Sequence, residues 1–308
     1  MYHFIVNPNA RCGRGASIWK KLERQLDFAG TEYEAHLTKA PGEAKQIARR
    51  LTEGSKEPKV IVAVGGDGTV NEVLDGICFG GPVTFGYIPA GSGNDLARSL
   101  KLSKKPSRAL KKILNPKYHR LLDYGVVSYG EDVISNRRFM VSAGIGLDAA
   151  VCHNILYSKS RRFMSRIHMS RFCYVMVGLK QLILAKPVKG YILLDGVQKV
   201  EFNHIYFISA HIHPYEGGGF KFAPKADCSD GRLSVCVAAC SSKRRLFPIL
   251  VHALLGGHSK YPGARSFECQ ELTVHTDRPM AVHVDGESCQ SQKEIQVRCI
   301  EKKIRMII

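Results

Sequence analysis

The sequence predicts two folds in series: an α/β unit built on parallel strands, then a β-rich unit read as an antiparallel sandwich. Three observations predict it. Val60–Val64 is an unbroken apolar run rich in β-branched residues, as in a strand buried on both faces. It enters Gly65-Gly66-Asp67-Gly68-Thr69 just before Val70, Val73, Leu74 and Ile77 recur at helical spacing. The same order follows at once in Val83–Ile88, then Pro89-Ala90-Gly91-Ser92-Gly93-Asn94-Asp95, then a helix opening at Leu96. Beyond Asp123 the alternation stops, and strands separated by turns take over. The first unit is therefore placed at 1–123, with a strand at about 301–308 returning to it, and the second at 124–300.

A strand, a glycine turn and a helix start put backbone N–H groups at the carboxyl edge of a parallel sheet. Phosphates bind there, because the helix N-terminus carries partial positive charge and glycine lets the backbone come close. Consecutive units bring their loops to the same edge. One glycine loop alone is equally a tight turn; two in succession, each carrying polar side chains, are a stronger signal. An aspartate repels phosphate, so Asp67 fits a place beside a metal ion or as the base for a hydroxyl nucleophile.

In chain order, Tyr2–Val6 reads as the first strand, ending in Asn7-Pro8-Asn9-Ala10-Arg11-Cys12-Gly13. Ile18, Leu22, Leu26 and Ala29 mark an amphipathic helix closed by Gly30. Tyr33–Leu37 is a strand ended by Thr38, a residue that favours turns, before a helix over Glu43–Leu51. Asn94 or Asp95 serves as the next N-cap, Ser107–Leu114 forms a short helix, and a strand begins at Leu121. In the second unit, Phe139–Ala143 leads into Gly144-Ile145-Gly146-Leu147-Asp148-Ala149, whose glycines allow close backbone packing. Tyr191–Leu194, Val200–Phe202, Ile205–Ala210 and Leu233–Ala238 read as antiparallel strands. Leu272–His275 and Met280–Val284 read as a hairpin through Asp277-Arg278-Pro279, and Gln296–Ile300 and Ile304–Ile308 as the last strands.

The composition is that of a globular protein, except that 45 basic against 27 acidic residues leave a net charge of +18. That charge calls for an anionic partner. No acidic residue lies between Asp148 and Asp195, nor between Asp230 and Glu268, and both windows mix Lys and Arg with large apolar residues. The basic segments 159–186 and 243–260 fit an anionic membrane surface or, more plainly, a solvated basic face. No nucleic-acid-binding module is visible. The ten cysteines show no CxxC pair and no zinc spacing, the first residues are too short for a secretory signal, and no apolar run spans a bilayer. The expectation is a cytoplasmic protein that associates peripherally with the inner face of the membrane. An exposed strand edge in the β-rich unit would allow pairing with a second copy.

Gly65–Val73, GGDGTVNEV, together with Pro89–Asp95, PAGSGND, resembles the diacylglycerol kinase catalytic-domain family, which includes soluble bacterial lipid kinases and is related to sphingosine and ceramide kinases. The resemblance extends over nearly the whole chain. It takes in the glycine motif at Gly144–Ala149, the run from Gly217 through Pro224 and Ala226 to Asp230-Gly231-Arg232-Leu233, and Asp285-Gly286-Glu287. It implies the fold shared with NAD kinases and transfer of the γ-phosphate of ATP, with Mg²⁺, to a lipid hydroxyl in a cleft between the units. Diacylglycerol is the default acceptor; phosphatidylglycerol and sphingoid bases are alternatives.

By that resemblance the nucleotide contacts fall on Asn7, Pro8, Asn9, Ala10, Arg11, Thr38, Gly65, Gly66, Asp67, Gly68, Thr69, Asn71, Glu72, Gly91, Ser92, Asn94 and Asp95. Ala10-Arg11 stands where the usual loop has Ser-Gly, or else is an inserted pair before Gly13. Asp123 would help to hold the catalytic magnesium through water, or be an exposed strand-end carboxylate. Asp227, Asp230 and the Arg232 carbonyl would hold a structural magnesium. Glu287 is the first choice of general base, with Asp285 and Asp67 beside it; the alternative is Asp67 as base, with Glu287 organising nucleotide or magnesium. An NAD kinase shares GGDGT, but Val70-Asn71-Glu72-Val73 and the second loop follow the lipid kinases. A catalytically silent nucleotide or lipid sensor is the reading from another class.

Overall fold

Residues two apart on a strand share a face, and β1 (Tyr2–Val6) uses both of its faces. Phe4 and Val6 join Val62, Val64 and Ile88 in one core layer, closed by Trp19, Leu22 and Leu26 and by Leu110 and Ile113. Ile5, Ile61 and Ala63 are buried on the opposite face. These alternations belong to a computed structural model that describes residues 1–157, 177, 178 and 180–308. The described chain forms two units, Met1–Asp123 with Lys302–Ile308, and Tyr124–Glu301.

The first unit runs β1, α1 (Ala10–Phe28), β2 (Tyr33–Leu37), α2 (Glu43–Thr52), β3 (Lys59–Gly65), α3 (Asp67–Gly76), β4 (Val83–Pro89), α4 (Asp95–Ser99) and α5 (Pro106–Leu114). Its strands are all parallel, in the order β4-β3-β1-β2. Arg305 and Met306 add a fifth parallel strand against Thr84 and Phe85 of β4. The β1, β3 and β4 loops thus emerge on neighbouring strands at one edge. α1 enters through a kink, with Arg11, Cys12 and Gly13 at φ of 50°, 62° and 86°.

The second unit is antiparallel. β5 (His119–Tyr129) carries the chain into it, followed by β6 (Ser135–Phe139), β7 (Ser142–Gly146), α6 (Leu147–Tyr157), β8 (Val188–Leu194) and β9 (Gln198–His211). Then come β10 (Leu233–Ala239), α7 (Lys243–Ala253), β11 (Ala264–Cys269), β12 (Glu271–Val284) and β13 (Glu287–Ile307). β9 pairs with β8 through its first half and with β7 through its second, and β12 does the same. Two long strands therefore pass from one layer to the other, the arrangement by which sandwich layers share strands.

The expected hairpin at Asp277-Arg278-Pro279 is absent. β12 runs straight through it, with a register shift between His275 and Met280. Pro279 has no N–H to offer a ladder and is tolerated where the strand changes partner. The separate strands expected at Val200 and Ile205, and at Gln296 and Ile304, are likewise single long strands.

Candidate active site

Three loops and one threonine meet at the carboxyl edge of the parallel sheet. Asn7, after β1, donates from Nδ2 to Thr69 Oγ1 at 3.1 Å, which ties the first loop to the start of α3. Its Oδ1 accepts the Asn9 N–H at 3.0 Å. A Cβ on Gly15 would lie 2.2 Å from the Asn7 carbonyl oxygen, so glycine is what lets α1 press onto this loop. The β3 and β4 loops touch backbone to backbone. Ala90 N–H donates to Gly65 O at 2.7 Å, and a Cβ on Gly91 would stand 2.4 Å from Gly66 Cα.

Asp67 opens α3, where its charge is favoured by the helix dipole, and its Oδ1 accepts the Leu96 N–H at 3.3 Å. Asn94 adopts left-handed φ of 54° and folds its amide over Gly91, accepting from Gly91 N–H at 3.0 Å and donating to Gly91 O at 2.9 Å. It therefore braces its own loop and makes no side-chain cap for α4, which begins at Asp95. Gly68 and Ser92 line these loops, Ser92 exposed, while Asn71 is buried in α3. Asp95 is buried and paired with Arg98.

Other expected nucleotide contacts have structural partners. Thr38 is buried, its N–H and hydroxyl both directed to Val6 O at 2.9 and 3.3 Å. Glu72 Oε2 accepts the Ala44 N–H at the start of α2, at 3.2 Å. Pro8, Asn9, Ala10 and Arg11 form the loop crossing into α1, with Asn9 and Arg11 exposed and Ala10 buried. Asp123 is not the exposed strand-end group weighed above: it is fully buried, and its Oδ1 accepts the Lys302 N–H at 2.7 Å where the chain returns.

In the second unit, Asp285-Gly286-Glu287 forms the tight turn from β12 to β13, with φ of 48° at Asp285 and 85° at Gly286. The two carboxylates differ sharply. Asp285 accepts three backbone N–H bonds, from Met140 at 2.8 Å, Val141 at 2.9 Å and Ser142 at 3.0 Å. Glu287 is half-buried and accepts no hydrogen bond among the described residues. Asp227 and Asp230 sit in successive turns, accepting from Ser229 N–H at 3.1 Å and Arg232 N–H at 2.9 Å. Asp227, Asp230 and the Arg232 carbonyl would offer only oxygen donors, the donor type magnesium takes.

Sequence reasoning missed the buried cluster beneath the Asp285–Glu287 turn. His283 Nε2 lies 3.4 Å from Asp148 Oδ2 and 3.2 Å from Glu216 Oε1, and its Nδ1 accepts the Gly286 N–H at 3.2 Å. Burial pushes the Asp148 carboxyl above the usual carboxylate range, and the charge of Glu216 adds to this. A Cβ at Gly144 would fall 1.9 Å from Asp148 Oδ2, which explains that glycine. The signal was present as three separate motifs, around Gly144–Ala149, before Gly217 and before Asp285. Only the folded sheet brings them together.

His211 belongs to the same buried layer, with Nε2 2.8 Å from Ser209 Oγ and 3.5 Å from Glu216 Oε2. Burial lowers its pKa to about 4. Between about pH 6.5 and 4 the folded chain therefore binds fewer protons at this site than the unfolded chain does. The associated stability is complete above pH 6.5 and is lost as the pH falls towards 4, on the order of 3 kcal/mol. Urea midpoints should drop from pH 7 to pH 4.5, and His211→Gln should flatten that slope; equal slopes in both proteins would contradict the assignment.

No helix among the described residues is long and apolar enough to cross a membrane. Residues 1–126 match the family described as diacylglycerol kinase catalytic domain, and residues 141–308 match the one described as YegS C-terminal NAD kinase beta sandwich-like domain. The curated protein "Putative lipid kinase YtlR" of Bacillus subtilis (strain 168) is 27% identical over 288 residues, covering 93% of this chain and 93% of that protein. The "Diacylglycerol kinase" of the same strain is 26% identical over 289 residues, covering 92% and 88%. A solved structure from Bacillus anthracis str. Sterne, described as "a putative diacylglycerol kinase", superposes with a TM-score of 0.77 at 22% identity, covering 99% of this chain and 94% of that one. That last likeness is one of fold.

Proposed function

Since the chain belongs to the family that joins a diacylglycerol kinase catalytic domain to a YegS-type C-terminal domain, we propose that it is an ATP-dependent lipid kinase. Its acceptor is the hydroxyl of diacylglycerol and its product phosphatidic acid. The observation that carries the reading is the abutting of the Gly65–Thr69 and Gly91–Asp95 loops, with Asp67 at a helix N-terminus and Asn7 tied to Thr69. Such an edge offers backbone N–H groups to the phosphates of ATP. Magnesium, when bound, would supply positive charge against the phosphates. Asp67, at the start of α3, is the carboxylate that would hold it.

Glu287 takes the proton of the acceptor hydroxyl, whose oxygen then bonds to the γ-phosphorus while ADP leaves. A base needs an unengaged lone pair, which Glu287 has and Asp285 does not. Asp285 holds the turn. Transfer of labelled γ-phosphate in mixed micelles tests the reading, with diacylglycerol, phosphatidylglycerol, sphingosine and NAD as separate acceptors. Label in phosphatidic acid supports it; label in NADP alone overturns it.

The membrane contact is assigned to α7 and the residues beside it. Phe247, Val251, Leu254 and Leu255 are exposed along one face, and Ile183 and Leu184 are exposed nearby, where Lys243 Nζ donates to Ile183 O. Lys243, Arg244 and Lys260 flank them. Large apolar side chains gathered beside basic ones suit insertion at an anionic lipid surface. Of the other basic segment, 159–186, only Lys180 and Lys186 fall within the described residues. Phe247→Asp with Leu255→Asp should weaken binding to phosphatidylglycerol vesicles at least tenfold yet spare turnover of a dispersed short-chain diacylglycerol. Unchanged vesicle binding would remove this surface from the proposal.

A further inference from the structure

The parallel pairing of β1 with β2 sets three metal-ligating side chains on one face, away from the loops described above. His3 stands directly opposite Glu34, and His36 is two residues further along β2, opposite Ile5. Glu34 and His36 share a face by the two-residue period of a strand. His3 Nδ1 lies 3.2 Å and His36 Nε2 3.6 Å from the same oxygen, Glu34 Oε2. The two imidazoles lie nearly parallel, at 22° with centroids 5.9 Å apart.

Simple ion pairing accounts poorly for this arrangement. His3 is 3% exposed, yet neither of its ring nitrogens makes a hydrogen bond, and neither does His36 Nε2. Two imidazoles approach one carboxylate oxygen that has lone pairs for both, yet neither ring is oriented to donate to it. Their separations instead suit the edges of a tetrahedron about a cation with bonds of ~2.0–2.1 Å, which are roughly 3.3 Å long. All the donor atoms fall within 4.8 Å of one another.

We propose that His3, Glu34 and His36 bind a divalent transition-metal ion of the zinc type, Glu34 supplying Oε2 and the histidines Nδ1 and Nε2. Two imidazoles and one carboxylate favour zinc over magnesium, whose preferred donors are oxygens. Glu34 is half-exposed, so the ion has a way in and water a fourth position. The positive charges of Lys59 and Arg50 lie close enough to act on the two histidines, and they oppose rather than assist a cation here. The ion's effect is to fasten the edge strand β2, which leads into Thr38, to β1. The cluster of Asp148, Glu216 and His283 is a weaker candidate, because His283 Nδ1 accepts the Gly286 N–H and the ring proton then sits on Nε2, the atom a metal would need.

The test is equilibrium dialysis of the full, chelator-stripped chain with Zn²⁺ under millimolar Mg²⁺, which occupies oxygen sites, read alongside Co²⁺ absorption at 500–650 nm. One equivalent should bind to the wild type with visible d–d bands and a rise in melting temperature. Glu34→Gln and His36→Gln, both at partly exposed positions, should bind at least tenfold more weakly and show no rise. Zinc binding equal in all three proteins, or none in the wild type, overturns the proposal. Because nothing in the readout depends on phosphoryl transfer, its failure is distinguishable from failure of the kinase reading.

Discussion

Glu287→Gln is expected to slow phosphoryl transfer by roughly 10²–10⁴-fold, the usual contribution of a general base, and to leave the unfolding midpoint unchanged. Glutamine keeps the size and shape of the side chain. It loses only the ability to take a proton, and the Glu287 side chain has no hydrogen bond among the described residues for the change to disturb. Single-turnover label transfer from ATP–Mg²⁺, measured across pH, checks this. Asp67→Asn, run beside it, should also be slow, since it removes charge at the start of α3. If Glu287→Gln kept activity within tenfold of wild type while Asp67→Asn lost it, the base would have to be Asp67.

Asp285→Asn should do the reverse and strike stability first. The asparagine tolerates the left-handed backbone at this position, so the turn itself is not strained by the change. Its amide NH₂, however, must replace one of the two oxygens that now accept from Met140, Val141 and Ser142. A donor is then set against a donor, and the charge that strengthens the other bonds is gone. With charge-assisted bonds contributing about 1.5–3 kcal/mol each, a loss of about 3–5 kcal/mol is expected in urea unfolding. A stable but inactive Asp285→Asn would return Asp285 to the reacting groups. The pair of variants separates the two roles that one three-residue motif combines.

What the sequence made legible was whatever is encoded locally. The first sheet could be read from Val60–Val64 and Val83–Ile88 because apolar runs, glycine loops and helical spacing each lie within about twenty residues. The loops at Asn7, Gly66 and Gly91 were legible for the same reason. Asp123 was not: its partner is the backbone N–H of Lys302, and nothing near Asp123 in the chain announces it. The long strand β12 was misread because Asp277-Arg278-Pro279 has the composition of a turn, whereas a strand changing partners can carry the same residues. The Asp148–Glu216–His283 cluster escaped because its members come from α6, a loop and β12, and the His3–Glu34–His36 group because it forms only when β2 pairs with β1.

The return of residues 302–308 to the first unit has a consequence for biosynthesis. When Asp123 has left the ribosome, β4 still lacks its outer neighbour, and the buried Asp123 carboxylate lacks the N–H of Lys302. At about 5–20 residues per second, roughly 10–40 s of translation pass before that strand emerges. For that interval the nascent chain exposes an apolar sheet margin, which makes it a client for chaperones. A ribosome-stalled nascent chain ending before residue 302 should be cut readily by protease within its first 123 residues, and one from which residues 302–308 have also emerged should resist.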